Sequence, residues 1–237
     1  MKKPGELNPE EDSLHIPGLI KQGEGESLEF KFEIAETKKI ARTLVAFANT
    51  SGGTLLVGVK DNGAIAGIRS DEEYYMLEAA ATMQCRPPVP FSVKLHDIEG
   101  KMVLEVNIPK SDNILHTAPD KEGHFKVFIR KEDENLMPGG IYIRLHNKRK
   151  EAKGVTIEYS DREQFLLHYL LENETITLNQ YKRKAGVSKK MAESILIRFV
   201  LLDIISMDTT EHGHLFRLND EQKLKKILAK GDGFNIT

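Results

Sequence analysis

The chain has 237 residues, which is enough for one large domain or two smaller ones. Its 34 lysines and arginines nearly balance 36 aspartates and glutamates, so the net charge of -2 excludes a uniformly basic surface but leaves room for local basic faces. The single cysteine, Cys85, excludes an intrachain disulfide, the N-terminus has no apolar signal-peptide core, and no apolar run approaches the ~20 residues of a membrane span. We therefore expect a cytoplasmic protein with no membrane partner.

The first quarter of the chain predicts two strands and a helix. Residues 1–16 are polar and predict a flexible lead-in. Residues 26–34, ESLEFKFEI, carry an apolar side chain at every second position, which is typical of a half-buried strand. Residues 37–49 have the apolar spacing of a helix. GTLLVGV, residues 53–59, is almost continuously apolar and predicts a central strand that is covered on both faces.

The following segments predict that the sheet continues. Asp-Asn-Gly at residues 61–63 predicts a tight turn into AIAGI, as in a hairpin. Residues 71–85 predict a second helix, which ends before two prolines. Further strands are predicted in FSVKLHDI, KMVLEVNI and KVFIRK, whereas IYIRL at residues 141–145 fits either a strand or a helix. Together these elements predict an α+β fold with a mixed sheet over residues 17–147.

A basic stretch separates this region from the rest of the chain. RLHNKRKEAKG, residues 144–154, contains five lysines and arginines and one glutamate. A charge run of this kind is typical of a solvated connector. We therefore predict a linker over residues 148–159 and a second domain over residues 160–237.

The second domain contains three helix starts. Ser160 with Glu163, and Thr177 with Gln180, have the spacing of capping boxes, and Ser188 is a suitable N-cap after a Gly-Val turn. The tail SMDTTEHGHLFRL then predicts two short strands. This order of a helix, a short helix, a turn, a longer helix and a hairpin resembles the winged helix-turn-helix family.

The winged-helix resemblance covers residues 160–219 and implies contact with DNA. The third helix would enter the major groove with its N-terminal residues facing the bases. No acidic residue occurs between residues 176 and 192, so the basic side chains there predict a local positive face. The predicted DNA contacts are Lys182, Arg183, Lys184, Ser188, Lys189, Lys190, Glu193, Ser194, His214 and Arg217. The alternative is a winged helix that contacts protein. Residues 218–231 predict an amphipathic helix that packs on this domain or pairs two chains, and we expect a homodimer.

A second resemblance covers residues 18–147. The segments GEGESLEFK and AFANTSGGTLLVGVKDNGAIAGI are similar to the Schlafen AlbA-type domain, which is also classed as a divergent AAA-type or DNA-binding domain. The residues that match the family motif include Lys31, Asn49, Gly52 and Gly53. The resemblance implies a transcriptional regulator, because such domains often precede winged helices in bacterial and archaeal regulators. RKEDEN at residues 130–135 departs from the family's R-x-G-S-x-N pattern, which argues against a binding role of that loop.

The names given to this family imply different chemistries. We do not expect ATP hydrolysis, because no GxxxxGK[ST] motif is present and the glycine pair 52–53 leads into a strand. Some Schlafen proteins cleave RNA with two glutamates five residues apart and a downstream aspartate, and Glu24, Glu29 and Asp61 match that pattern. The three carboxylates would hold Mg²⁺ or Mn²⁺ and activate water. The structural alternative is that Asp61 serves the turn and Lys31 pairs with one of the acids.

The sequence therefore predicts a DNA-binding protein, a transcriptional regulator that contacts duplex DNA. RNA is a second candidate partner. The alternatives are a metal-dependent ribonuclease centred on Glu24, Glu29 and Asp61, and a protein-interaction module. No cofactor is expected, apart from Mg²⁺ or Mn²⁺ in the ribonuclease. Cys85 has no sequence-local base and is expected to be a small core residue.

Overall fold

A computed structural model describes residues 14–151 and 160–220 of the chain. The chain divides into two compact units, Met1–Met137 and Pro138–Thr237, and this division falls before the predicted domain end at residue 147. The first unit contains α1 (His15–Gln22), β1 (Leu28–Lys31), α2 (Thr37–Asn49), β2 (Gly53–Val57), α3 (Glu72–Ala79), a π-helical segment (Ala80–Gln84), β3 (Ser92–Ile98), β4 (Lys101–Ile108), β5 (Thr117–Pro119), β6 (Phe125–Val127), β7 (Ile129–Lys131) and β8 (Glu134–Leu136). Within the described ranges, no helix is both long and apolar enough to cross a membrane.

A four-stranded mixed sheet forms the centre of the first unit. Its strand order is β1-β2-β4-β3, with β1 parallel to β2 and the other neighbours antiparallel. Leu55, Leu56 and Val57 of β2 are fully buried, so the prediction of a central strand covered on both faces is confirmed. The short strands pair as two separate hairpins, β5 with β6 and β7 with β8.

Each face of the sheet packs against helices. The larger core joins Leu44 and Phe47 of α2, and Leu77 of α3, to apolar side chains of β2 and β4. The smaller core joins Ile16 of α1 to Phe30 of β1 and to further apolar residues of the sheet. Helix α1 begins inside the predicted lead-in, whose residues 1–13 lie outside the described part of the chain. Cys85 is buried in the larger core, and this burial raises the pKa of its thiol to about 12, as expected of a core residue.

Several predicted elements differ in the structure. Strand β1 is not half-buried, because Leu28, Glu29 and Phe30 are all buried. The predicted hairpin after residues 61–63 consists of a single bridge between Val59 and Ile65. The second helix continues in the π-helical segment up to Gln84, and KVFIRK is divided between β6 and β7. The differences arise because tertiary packing overrides local propensity in short elements.

The glycine pair between α2 and β2 is required by close packing. Gly52 has a φ of +77°, and a Cβ at this position would lie 2.8 Å from the carbonyl oxygen of Ile108. A Cβ on Gly53 would lie 2.5 Å from the ring of Phe47. Only glycine fits these two positions without displacing β4 or the core of α2. The pair therefore ends the helix and allows the strand to start next to β4.

The second unit is mainly helical. It contains α4 (Gly140–Glu151), α5 (Asp161–Glu172), β9 (Ile176–Thr177), α6 (Leu178–Lys184), α7 (Lys189–Leu201), β10 (Ile205–Thr210) and β11 (Gly213–Leu218). IYIRL is thus helical, and the first residues of the predicted linker belong to α4, whose Ile141 and Leu145 join the core of this unit. Residues 152–159 and most of the predicted helix 218–231 lie outside the described part of the chain.

The helix starts of the second unit agree with the capping signals. Thr177 and Gln180 form both hydrogen bonds of a capping box. The Ser188 hydroxyl accepts a hydrogen bond from the backbone N–H of Met191 at 3.2 Å. The box predicted for Ser160 differs, because the Ser160 hydroxyl donates to the Glu163 carboxylate, which also accepts from Arg198 at 2.8 Å. The three caps fix where α5, α6 and α7 begin.

Candidate functional site

A buried ion pair dominates the polar interior of the first unit. Glu29 of β1 is 5% exposed, and its Oε2 accepts a hydrogen bond of 2.7 Å from Nη1 of Arg130 in β7. Its other oxygen is 2.6 Å from Nζ of Lys31. Arg130 also donates from Nε to the carbonyl oxygen of Gly25, and its guanidinium lies over the ring of Phe47. The pair joins the first strand of the sheet to the β7–β8 hairpin.

Neighbouring side chains complete this centre. Asn135 of β8 accepts a hydrogen bond from Arg130 Nη1 at 3.1 Å and donates to the Thr43 hydroxyl of α2 at 3.0 Å. The Thr43 hydroxyl in turn lies 3.4 Å from Oε1 of Glu29. Arg130 and Asn135 are the first and last residues of RKEDEN, the segment in which the sequence departs from the family pattern. Sequence reasoning missed their role, although an arginine inside the apolar segment KVFIRK was the available signal.

The three predicted catalytic carboxylates have separate environments. Glu24 accepts a hydrogen bond of 2.8 Å from the backbone N–H of Phe30. Glu29 pairs with Arg130 and Lys31. Asp61 is exposed and lies in a turn, in which the backbone N–H of Gly63 donates a hydrogen bond of 2.7 Å to the carbonyl oxygen of Lys60. In residues 14–151 and 160–220, Glu24, Glu29 and Asp61 do not form a group whose ligand atoms could share one metal ion. These contacts agree with the structural interpretation of the three acids, in which Lys31 pairs with one of them and Asp61 lies in a turn.

A groove of the first unit lies away from these three carboxylates. It has a volume of ≈ 580 Å³ and is lined by the loop ends of the sheet, including Gly52, Gly53 and Asn107. Among the described residues that line it, Lys110 alone is charged. A groove without an acidic side chain offers no carboxylate ligand for Mg²⁺ and no carboxylate general base.

Asn49 of the family motif is a structural residue. It is 7% exposed, and its Nδ2 donates to the carbonyl oxygens of His116 and Phe128 at 2.9 and 2.8 Å. Its Oδ1 accepts from the backbone N–H of His116 at 2.8 Å. Asn49 thus joins the end of α2 to the segments before β5 and before β7, and it satisfies three buried backbone groups.

Replacing Asn49 with aspartate is expected to destabilise the first unit by about 3 kcal/mol or more. The carboxylate cannot donate a hydrogen bond, so two buried carbonyl oxygens lose their partner and face a negative charge. Chemical denaturation of the full chain, followed by circular dichroism, measures the difference. The matched control is Asn62→Asp, because Asn62 is exposed and its Oδ1 accepts a hydrogen bond from Ala64 N, which a carboxylate can also accept. Equal stability of the two variants would contradict this role of Asn49.

A basic surface surrounds the turn between α6 and α7. We define it by five exposed side chains: Lys182, Arg183, Lys184, Lys189 and Lys190. Lys184 lies over the ring of Tyr169, and the other four form no ion pair with a described residue. Ser188 and Ser194 are also exposed, as predicted. Exposed cations that form no ion pair with a described residue have their charge available to an anionic partner.

Three predicted DNA contacts have other partners. The expectation that Glu193 is exposed is wrong, because Glu193 is buried and its Oε1 accepts a 2.7 Å hydrogen bond from Arg144 of α4. His214 accepts from Gly139 N through Nε2 and contacts Thr209 Oγ1 through Nδ1, and its burial lowers its pKa. Arg217 is exposed but pairs with Asp208 at 2.9 Å across the β10–β11 hairpin. Sequence reasoning could not find these pairs because the partners lie on other elements.

These features define a two-unit class of protein. The first unit is an α/β unit with a mixed sheet and the buried Glu29–Arg130 ion pair. The second is a helical unit with a basic surface. The Schlafen, AlbA_2 family model matches residues 24–153, which is more than half of the chain, and the chain therefore belongs to this family. The match contains the complete Glu29–Arg130 centre, whereas α1 lies before it and α5 to β11 lie after it. No curated protein matches the chain.

Two solved structures are similar to part of the chain. The DIP2311 protein from Corynebacterium diphtheriae aligns with 61% of this chain at 17% identity and a TM-score of 0.41. The alignment covers 29% of the DIP2311 protein, so the chain spans less than a third of that protein's length. The N-terminal domain of a RecG-related protein from Nitrosomonas europaea aligns with 52% of this chain and 88% of its own, at 20% identity and a TM-score of 0.36. Likenesses of this size carry no argument about function.

Proposed function

We propose that this protein binds duplex DNA through its second unit, arranged as a winged helix, and acts as a transcriptional regulator. The observation that carries the proposal is the basic surface around the α6–α7 turn. Phosphate neutralisation by lysine and arginine supplies most of the non-specific affinity of proteins for DNA. These cations form no ion pair with a residue of the described ranges, so they are available for this purpose.

The order of elements supports the same proposal. Helix α6, a turn of four residues and α7 follow each other as in a helix-turn-helix, and the β10–β11 hairpin follows α7. Lys189 and Lys190 occupy the first turn of α7, the part of a recognition helix that faces the major groove. The helix dipole adds partial positive charge at this end. Backbone and side-chain charges therefore favour an anionic partner at one place.

The distribution of charge is strongly uneven. Residues 160–220 contain eight lysines and arginines and nine aspartates and glutamates, so this region has no net positive charge. Five of the eight cations nevertheless belong to the basic surface. On an ordinary solvated surface, the eight lysines and arginines would be interspersed with the nine aspartates and glutamates. Concentration on the two helix ends that flank one turn is the feature that distinguishes a binding surface from a solubilising one.

A salt titration of DNA binding tests the proposal. Fluorescence anisotropy of a labelled 20-base-pair duplex is measured between 50 and 300 mM salt, with single-stranded RNA of the same length as the competitor. If three to five of the cations meet phosphates, log K against log [salt] has a slope of about -3 to -4.5. Tighter binding of RNA would replace duplex DNA by RNA as the partner. Absence of salt-dependent binding to either would favour the protein-interaction module.

The first unit has a separate role in this proposal. We assign it a regulatory, ligand-binding or oligomerisation function, in a chain expected to form a homodimer. The ribonuclease alternative stays a prediction, because no contact of Glu24, Glu29 or Asp61 favours it over a structural role. Light scattering of the full chain measures the oligomeric state, and a monomer at micromolar concentration would contradict the expected homodimer.

A further inference from the structure

Three side chains meet on the face of the sheet that packs against α1. His15 begins α1, His96 lies in β3, and Glu105 lies in β4. Nε2 of His15 is 3.2 Å from Oε1 of Glu105, and Nε2 of His96 is 2.8 Å from Oε2. The three ligand atoms all lie within 4.8 Å of one another, and among the described residues this is the one such group of His, Cys, Asp and Glu.

We propose that His15, His96 and Glu105 bind a divalent transition-metal cation, with Zn²⁺ as the best match. Two imidazole nitrogens and one carboxylate, with water in the fourth position, are a common ligand set for zinc. Ligands at zinc–nitrogen and zinc–oxygen distances of about 2.0–2.2 Å lie about 3.3 Å apart in a tetrahedron. The observed separations are 3.2 Å to Oε1 and 2.8 Å to Oε2 of Glu105, so the side chains would have to shift to place both nitrogens and one carboxylate oxygen around the ion.

The surrounding contacts hold these ligands in place. Asn107 Nδ2 donates to Glu105 Oε1 at 3.2 Å, and the Thr54 hydroxyl donates to Asn107 Oδ1 at 3.0 Å. Outer hydrogen bonds of this kind orient ligands and raise metal affinity.

Burial differs among the three ligands in a way that suits a metal site. His96 is 1% exposed and Glu105 is 5% exposed, so the core fixes both side chains. Nε2 of His96 makes the polar contact of this ring with Glu105, and coordination through Nε2 would place the ring proton on Nδ1, which has no hydrogen-bond partner in the described part of the chain. The side chain of His15 is 41% exposed, which gives a cation access from solvent. Imidazole nitrogens favour zinc over Mg²⁺, which prefers oxygen ligands.

The metal would fasten α1 to the sheet. His15 is the first residue of α1, and Ile16 next to it is fully buried against the sheet. Coordination would connect the start of this helix to β3 and β4, which lie far away along the sequence. His96 and Glu105 lie within the residues that match the family model, whereas His15 of α1 lies before them.

Metal titration of the full chain without a histidine tag tests the proposal. After EDTA treatment and removal of the chelator, Zn²⁺ binding is measured by isothermal titration calorimetry. Co²⁺ is the spectroscopic probe. We expect one equivalent of Zn²⁺ per chain and visible absorption bands of Co²⁺ with nitrogen and oxygen ligands. We also expect His15→Gln to weaken Zn²⁺ binding at least tenfold. His15 is partly exposed, so this variant leaves the core unchanged.

The matched control is His168→Gln. His168 is exposed on α5 in the second unit, and the variant is expected to bind Zn²⁺ as the wild type does. Hydrogen exchange gives a second measurement, in which Zn²⁺ slows exchange of the α1 amides in the wild type but not in His15→Gln. Absence of stoichiometric binding, or equal binding by His15→Gln and the wild type, would overturn the proposal and leave only an ion-paired cluster.

Discussion

Replacing both Lys189 and Lys190 with glutamate is expected to weaken duplex DNA binding on the order of 50-fold at ~0.1 M salt. Each lost phosphate contact changes the slope of log K against log [salt] by about 0.9, so two contacts change it by about 1.8. Both lysines are exposed in the first turn of α7. Glutamate is favourable at this end of a helix, so the variant is expected to fold normally. Anisotropy titrations over a range of salt measure both the affinity and the slope.

The control variant reverses the same charges on the first unit. Lys38 and Lys39 are adjacent, exposed and in the first turn of α2, so Lys38→Glu with Lys39→Glu matches the test variant in charge and in helix position. We expect this control to retain most of the affinity and the salt slope of the wild type. If instead the control loses binding and the α7 variant keeps it, the DNA interface lies on the first unit and the winged-helix assignment is wrong.

Replacing Glu29 with alanine is expected to destabilise the first unit by about 3–5 kcal/mol. The change leaves the guanidinium of Arg130, which is 3% exposed, without its carboxylate partner. Removing one member of a buried ion pair costs this much because the remaining charge is desolvated and unpaired. Urea denaturation of the full chain, followed by circular dichroism, measures the loss. A cost below about 1 kcal/mol would show that the centre does not stabilise the fold.

This prediction changes how the ribonuclease alternative is tested. A loss of RNA cleavage in Glu29→Ala would not identify a catalytic group, because that variant is expected to lose structure as well. Asp61→Asn is the sharper variant, since Asp61 is exposed and forms no ion pair with a described residue. With Mn²⁺ and structured RNA, a ribonuclease that uses Asp61 would lose cleavage in Asp61→Asn while keeping wild-type stability. Equal cleavage by both proteins would end the hypothesis.

Helices and strands whose formation depends on neighbouring residues were predicted well from the sequence. Helix α2 occupies residues 37–49 as expected, because its apolar spacing faces one core. The caps at Thr177 and Ser188 start α6 and α7 because each side chain bonds to a backbone group within three residues. Strand β2 is central because a continuous apolar run needs cover on both faces. All of these signals act over a few residues or through a simple periodicity.

The polar centres depend on contacts between distant residues. Glu29 and Arg130 are 101 positions apart, and Glu105 is 90 positions from His15. No spacing rule connects such pairs, because the chain between them can take many paths until the sheet is assembled. The same reason explains why the prediction of an exposed Glu193 in contact with DNA was wrong. The carboxylate of Glu193 accepts a hydrogen bond from Arg144 of α4, which no spacing rule connects to it.

The sequence by itself determined the family motif, the local helices and strands, and the concentration of cations between residues 182 and 190. Only the tertiary structure decided which acids are free and which are paired. It shows Glu29 as half of a buried ion pair, Asp61 as an exposed turn residue, and Glu105 between two histidines. The physical reason is that the charge state and the partners of a side chain depend on burial and distance, which arise only when remote strands and helices pack together.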